Sequence, residues 1–322
     1  MLASPRVSGE TDDDWDAALE RNGGHFLQSR AWQAAQRALG YEVVHSRGDS
    51  WLWAGSIRAG RFPRYVYVPY GPSGEFGDEA LSSIVEVCSS HSLDFARVEP
   101  LGQPASTVLD RARAVRAKPV QPRWTWLLDL TAAEDELRHG LSAGHRGSIN
   151  AAPRRGLRVR RSAEPAEVDV LCELQRRAAG RGRYRGHSPA YFHALASSLM
   201  PRGAAALYFA EVDGDALASA LVFDFARTRY YAHAASDPDR GRRLGAAAPL
   251  VWQMILDARA AGASAFDFWG VAPPAARDHG WAGFSQFKRA FGGRLVERPG
   301  AWEIPQRVSR HRLFRVLRTF SR

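Results

Sequence analysis

The stretch Leu207-Tyr208-Phe209-Ala210-Glu211-Val212-Asp213-Gly214-Asp215-Ala216-Leu217-Ala218-Ser219-Ala220-Leu221-Val222-Phe223 decides how this chain is read. Two apolar runs flank a Gly-Asp turn, the pattern of antiparallel strands joined by a tight hairpin. The spacing predicts strands over 206–212, 216–225 and 229–235. Arg242 to Ala261 then carries apolar residues at helical spacing, and Ala263 to Trp269 returns to strand. The order is strand, strand, strand, helix, strand.

The same order occurs earlier. Strands are predicted over 41–47, 50–58 and 64–68, with Gly48-Asp49 between the first two, then a helix over 76–91 and a strand over 94–99. Gly48-Asp49 matches Gly214-Asp215, Arg64-Tyr65 matches Arg229-Tyr230, and Asp94-Phe95 matches Asp267-Phe268, at offsets of 166, 165 and 173 residues. This looks like a duplicated β-β-β-α-β unit, the core arrangement of the GNAT acyltransferase fold. The expected class is α/β (α+β) with two tandem GNAT-like domains. Their expected bounds are 1–143 and 144–295, with 296–322 returning to pack on the first. A length of 322 residues suits two domains.

Between the copies, 124–130 reads as a strand and 133–142 as a helix, with Glu134, Asp135 and Glu136 where a helix dipole favours acids. Residues 145–155 are basic, and 164–179 and 188–199 read as helices. Residues 306–322 read as a basic amphipathic helix, with Leu313, Leu317 and Phe320 beside Arg307, Arg310, Arg312, Arg315 and Arg318.

Net charge is +10, which favours polyanionic partners. No apolar run approaches the roughly 18 residues of a membrane span. Met1 to Asp14 lacks the apolar core of a signal peptide. Cys88 and Cys172 are lone and far apart, which argues against a zinc site or a disulfide framework and fits a reducing cytoplasm. No Ser-His-Asp signature, Walker loop or His-Glu-x-x-His is present.

Of the 44 Lys plus Arg residues only Lys118 and Lys288 are lysine. Lys118 precedes Pro119 in a polar stretch and reads as a surface residue. Lys288 lies in Phe287-Lys288-Arg289-Ala290-Phe291-Gly292-Gly293. A lysine is a compact point charge that can lose its proton when buried, and an arginine is a planar fork that stays charged. An arginine-dominated chain keeps a lysine where the fork does not serve.

Several segments, in order, resemble the Fem family of non-ribosomal peptidyltransferases. They are Phe26-Leu27-Gln28-Ser29 with Trp32; Tyr67-Val68-Pro69-Tyr70-Gly71-Pro72; Arg97-Val98-Glu99-Pro100; Gln121-Pro122 with Thr125 and Asp129-Leu130; and His145-Arg146-Gly147-Ser148-Ile149-Asn150. Phe266-Asp267-Phe268-Trp269-Gly270-Val271 and Gly283-Phe284 with Phe287-Lys288 complete the series. The resemblance implies two GNAT-like domains. It also implies transfer of an amino acid from aminoacyl-tRNA to a primary amine of a peptidoglycan precursor or natural product, without metal or other cofactor. It makes Phe287 and Lys288 the core of the tRNA-dependent site. With the strands and basic stretches read above, the candidates for the acceptor are Trp32, Gln36, Tyr70, Arg185, His187, Tyr191, Tyr231, Asp267 and Trp269, and those for tRNA are Arg146, Arg154, Arg155 and Arg289.

Two positions depart from the family. Gln36 and His187 stand where members acting on UDP-linked muramyl peptides carry basic residues, which speaks against such an acceptor; Arg181, Arg183 and Arg185 lie close by in sequence. Tyr231 and His233 are expected on one face of their strand by alternation. Arg242-Arg243-Leu244-Gly245-Ala246-Ala247 fits the R-x-x-G-x-A loop that holds coenzyme A pyrophosphate, which makes an acyl-CoA-dependent N-acyltransferase the alternative. A third reading is a basic RNA-binding or membrane-surface module that keeps the fold without the chemistry. The C-terminal helix could also meet an anionic membrane face, with the protein cytoplasmic or peripheral at the inner membrane.

Overall fold

The computed structural model describes residues 12–104, 106–179, 186–276 and 280–320. The chain divides into two compact units, residues 1–123 with 298–322, and residues 124–297.

The first unit runs α1 (Asp12–Arg21), α2 (Arg30–Ala38), β1 (Glu42–Arg47), β2 (Trp51–Ala59), β3 (Arg64–Pro69), β4 (Ser73–Gly74), α3 (Asp78–Ser90), β5 (Phe95–Glu99), α4 (Ser106–Arg111) and β6 (Val115–Ala117). Helix α2 starts where the Ser29 side chain accepts the Trp32 N–H at 3.2 Å. The sheet order is β1-β2-β3-β5-β14-β6, where β14 is Ala301–Pro305, and β4 pairs with β2. Among the described residues of this unit, β3 and β5, joined through α3, are the one parallel pair. Trp53, Val66, Ile84, Val98 and Trp302 bury the apolar faces of sheet and helix together.

The second unit contains β7 (Trp124–Asp129), α5 (Glu134–Gly140), α6 (Ala143–Ala151), β8 (Arg158–Ser162), α7 (Val168–Ala179), α8 (Pro189–Leu199), β9 (Ala205–Val212), β10 (Asp215–Phe225), β11 (Thr228–Ser236), α9 (Arg240–Leu244), α10 (Ala247–Ala260), β12 (Ala265–Gly270), α11 (Ala282–Arg289) and β13 (Arg294–Glu297). Its sheet runs β13-β7-β12-β11-β10-β9-β8, again with one parallel pair, β11 with β12. The β9–β10 turn places Asp213 and Gly214 at φ 53° and 84°, the double left-handed geometry of a tight hairpin. Leu128, Trp252, Phe266, Phe268 and Phe291 form the centre of its core.

The duplication is therefore present as three antiparallel strands, a helix, and a strand returning parallel to the third. Three expectations are corrected. The boundary falls at 123/124 rather than 143/144, because β7 pairs with β12 and β13 and carries 124–143 into the second unit. The expected helix 242–261 is two helices, broken at Gly245, whose φ is +66°. Tyr65 pairs with Phe95 but Tyr230 with Asp267, so Asp94 and Asp267 are not counterparts. Among the described residues, no helix is long and apolar enough to cross a membrane.

Candidate active site

Strands β11 and β12 pair only over Thr228–Tyr230 and Ala265–Asp267. Beyond that point each carries an irregularity. On β11, Tyr231 faces Val222 and His233 faces Leu221, so Ala232 is an extra residue. On β12, Asp267 pairs with Leu127 and Gly270 with Thr125, an extra residue against β7. An inserted residue bends a strand and re-aims its side chains.

The bulge on β12 places Trp269 at φ +66°, a conformation that costs a non-glycine residue on the order of 1–2 kcal/mol. Asp267 holds it there. Its Oδ1 accepts the Trp269 N–H at 2.7 Å and the Thr125 hydroxyl, and the same hydroxyl lies 3.1 Å from the Trp269 carbonyl oxygen. Asp267 is 2% exposed. Its carboxylate faces inward and clamps the bulge.

Lys288, in the last turn of α11, donates from Nζ to the Gly270 carbonyl at 2.7 Å. Burial lowers its pKa to about 8, partly offset by the Asp267 charge. The lysine picked out by its rarity is thus a partly desolvated cation fixed at the end of the bulged strand. Lys118 is exposed, as a surface lysine should be.

The segment that carries Lys288 is held by α6. The Ser142 side chain caps α6 by accepting the His145 N–H at 3.3 Å, and the Ser142 N–H donates to the Ala290 carbonyl at 2.8 Å. The His145 ring lies 4.9 Å from Phe287 and 4.4 Å from Phe291, with Nε2 3.1 Å from the Phe287 carbonyl oxygen. Burial lowers the His145 pKa, so the neutral ring is favoured. The chain then turns at Gly292 and Gly293. A Cβ on Gly293, at φ +94°, would meet the Leu127 carbonyl oxygen at 2.5 Å. Phe287 is half-buried against His145 and Phe291.

Trp281 and Phe284 are 44% and 63% exposed. At about 100° of rotation per residue they share a side of α11 with Lys288. Neither was singled out as a site residue, because apolar side chains in a helix ordinarily read as core.

The remaining predicted residues separate. His187, Tyr191 and His233 meet: the His187 and Tyr191 rings stack at 4.0 Å, and Tyr191 Oη lies 3.3 Å from His233 Nε2. Burial, and then repulsion from His187, lowers the His233 pKa to about 3. Tyr231 is on the other side of the sheet, beside Phe266 and Phe268. The expected shared face is corrected, because the extra residue Ala232 reverses the alternation. Burial keeps the Tyr231 phenol protonated. Arg185, with Arg181 and Arg183, lies outside the described residues.

Trp32, Gln36 and Tyr70 belong to the first unit, and all three are buried. Tyr70 donates its hydroxyl to the Pro122 carbonyl at 2.8 Å. The Gln36 side-chain oxygen accepts from Arg58 Nη2 at 3.1 Å. A guanidinium thus stands beside the position that lacks a basic residue, a charge that sequence spacing alone does not reveal.

Of the four arginines assigned to tRNA, Arg154, Arg155 and Arg289 are exposed. Arg289 stacks over Trp126 at 5.5 Å, and Arg155 donates to the Leu244 carbonyl at 2.9 Å. The Arg146 guanidinium donates to the carbonyls of His139 and Leu141 and caps the C-terminus of α5.

In the Arg242–Ala247 loop, the N–H groups of Arg242, Arg243, Gly245 and Ala246 donate to Asp237, Asp239, Arg242 and Gly241. Ser148 Oγ would lie 3.1 Å from a Cβ on Gly245. Of the first three residues of α10, Pro249 has no N–H.

Residues 142–289 match the acetyltransferase (GNAT) domain family. No curated protein is significantly similar in sequence. Among solved structures, FemX superposes with a TM-score of 0.84 at 17% identity, over 95% of this chain and 98% of that one. L-PGS from Bacillus licheniformis superposes with a TM-score of 0.59 at 14% identity, over 98% of both chains. A tandem GNAT protein from the clavulanic acid biosynthesis pathway gives 0.54 at 15% identity, over 92% of this chain and 96% of that one. At such identities the likeness is one of architecture, and this chain is a tandem GNAT-fold protein built like FemX.

Proposed function

We propose that the protein is a cytoplasmic aminoacyltransferase that moves an amino acid from charged tRNA to a primary amine of a peptidoglycan precursor or natural product. The observation that carries the reading is Lys288, held on the Gly270 carbonyl at the rim of a bulged, strained strand. In the reaction the acceptor nitrogen attacks the aminoacyl ester carbon. The C–O bond to the tRNA 3′ end breaks, the released hydroxyl takes up a proton lost by the amine, and an amide remains. The ester is already activated, so the enzyme chiefly positions two substrates and stabilises the oxyanion. A Lys288 ammonium suits the oxyanion or the terminal phosphate. Trp281 and Phe284 offer faces on which unpaired 3′ bases stack.

Acyl-CoA-dependent N-acylation is the second reading, favoured by the Gly245 turn at the start of α10. Against it, four of that loop's N–H groups already donate to backbone carbonyls of residues 237–242 and are not turned to a phosphate. The test is transfer of a labelled amino acid to an amine pool in extract supplemented with the protein. Transfer should vanish with ribonuclease and survive depletion of acyl-CoA. Transfer that ignores ribonuclease and requires acyl-CoA would overturn the proposal. Gln36 and His187, in place of basic residues, disfavour an acceptor carrying a nucleotide diphosphate, whereas the Arg58 guanidinium beside Gln36 would favour one.

A further inference from the structure

Helix α12 (Val308–Phe320) has two dissimilar faces. One is anchored on the first unit. His311 Nε2 lies 2.8 Å from Glu303 Oε2, Arg310 reaches Asp94 at 2.6 Å, and Arg318 reaches Glu303 at 3.4 Å. Phe314 stacks on Phe95 at 5.3 Å and meets Phe62 at 6.4 Å. With about 100° between successive residues, the side away from His311, Phe314 and Arg318 carries Leu313 and Val316. These are 53% and 54% exposed. Arg312, exposed, lies beside them, Arg315, also exposed, lies on the flank between them and the anchored face, and the helix contains no acidic residue. Arg61 and Arg64, exposed on either side of Phe62, extend the positive charge.

We infer that the outer face of α12 docks on an anionic lipid surface, with Leu313 and Val316 entering the headgroup boundary and the arginines on lipid phosphates. The combination selects this occupant. A nucleic acid would engage the arginines but has no use for protruding aliphatic side chains. A second copy would set arginine against arginine on a chain of net charge +10. An anionic bilayer offers an apolar interior and negative charge at the same surface. The anchored face keeps the helix seated while its other side is presented.

The test is co-sedimentation of the intact protein with vesicles of phosphatidylcholine alone, and of phosphatidylcholine with phosphatidylglycerol, alongside sedimentation velocity without lipid. Binding is expected only with phosphatidylglycerol, weakening as salt rises, by a protein that sediments as a monomer. Leu313→Ser with Val316→Ser should weaken binding at least tenfold. Arg312→Gln with Arg315→Gln should weaken it roughly 30-fold, from about 1 kcal/mol per arginine at such a surface. Both double variants should unfold at the wild-type temperature, since neither touches the anchored face. The inference is overturned by absence of vesicle binding at low salt. It is overturned by binding that the Leu313/Val316 variant leaves intact, which would mean charge alone. It is also overturned by a dimer that this variant dissociates while vesicles capture nothing.

Discussion

Lys288 combines low solvation with a fixed partner, and that makes its chemistry testable by pH. Burial lowers its pKa to about 8, and Asp267 opposes the shift. Below that value the ammonium predominates, and above it the amine. If the ammonium stabilises the oxyanion, single-turnover transfer should fall as pH rises through about 8. Lys288→Ala should lower transfer by on the order of 10²–10³ and abolish this alkaline limb. Lys288→Arg should fail almost as badly, because a planar fork cannot replace a point charge seated on the Gly270 carbonyl. Asp267→Asn removes the charge that supports protonation, so the limb should move to lower pH. A limb that stays put in Asp267→Asn, or an arginine variant within a few-fold of wild type, would remove Lys288 from the chemistry. The same shift bears on folding: the cost of burying the cation is present below about 8 and is relieved as pH rises toward the ordinary lysine value. The rarity of lysine pointed to this residue. The bulge that gives it a partner leaves no mark in composition or spacing.

At the scale of elements, the joint between β14 and α12 concentrates charge in a dry place. Glu303 is 0% exposed. Burial pushes its carboxyl up, but His311, Arg97 and Arg318 outweigh burial and hold it at about 2. A depressed folded pKa contributes stability above the unfolded value, roughly 4.3, that is lost as pH falls toward 2. Glu303→Gln leaves the Arg97 guanidinium, 8% exposed, facing a neutral amide. Urea unfolding of this variant near pH 7 should show a loss of about 3 kcal/mol. Its stability should also respond less to acidification than that of wild type. Equal stability at pH 7, or an unchanged acid response, would show that the cluster contributes little. The amphipathic helix was legible from its spacing. Which arginines turn inward was not, because Arg310 and Arg318 read like Arg312 and Arg315 until β14 and β5 are in place.

For the molecule as a whole, the proposed function and the distribution of engaged and exposed arginines together predict how tRNA would be held. Arg154 and Arg289 are exposed, whereas Arg146 caps α5. Arg154→Gln with Arg289→Gln should reduce the salt slope of tRNA binding by about two, one per phosphate contact. Arg146→Gln should leave the slope unchanged and lower the unfolding temperature. A slope that falls with Arg146→Gln and not with the double variant would reverse these roles.

Strand, helix and turn order followed from local chemistry, as did the duplication: alternation, helical spacing and Gly-Asp turns are set by neighbours along the chain. Lys288 was legible for the same reason, as an exception within a composition. Pairing decided the rest. That β7 joins the second sheet, that Ala232 turns Tyr231 from His233, that Arg58 reaches Gln36 and that Arg146 closes α5 all depend on residues distant in sequence. A bulge shifts every following side chain by one face at the cost of a single unpaired residue. A guanidinium bonds whichever carbonyls the fold brings to it. Neither choice is made until the sheets assemble.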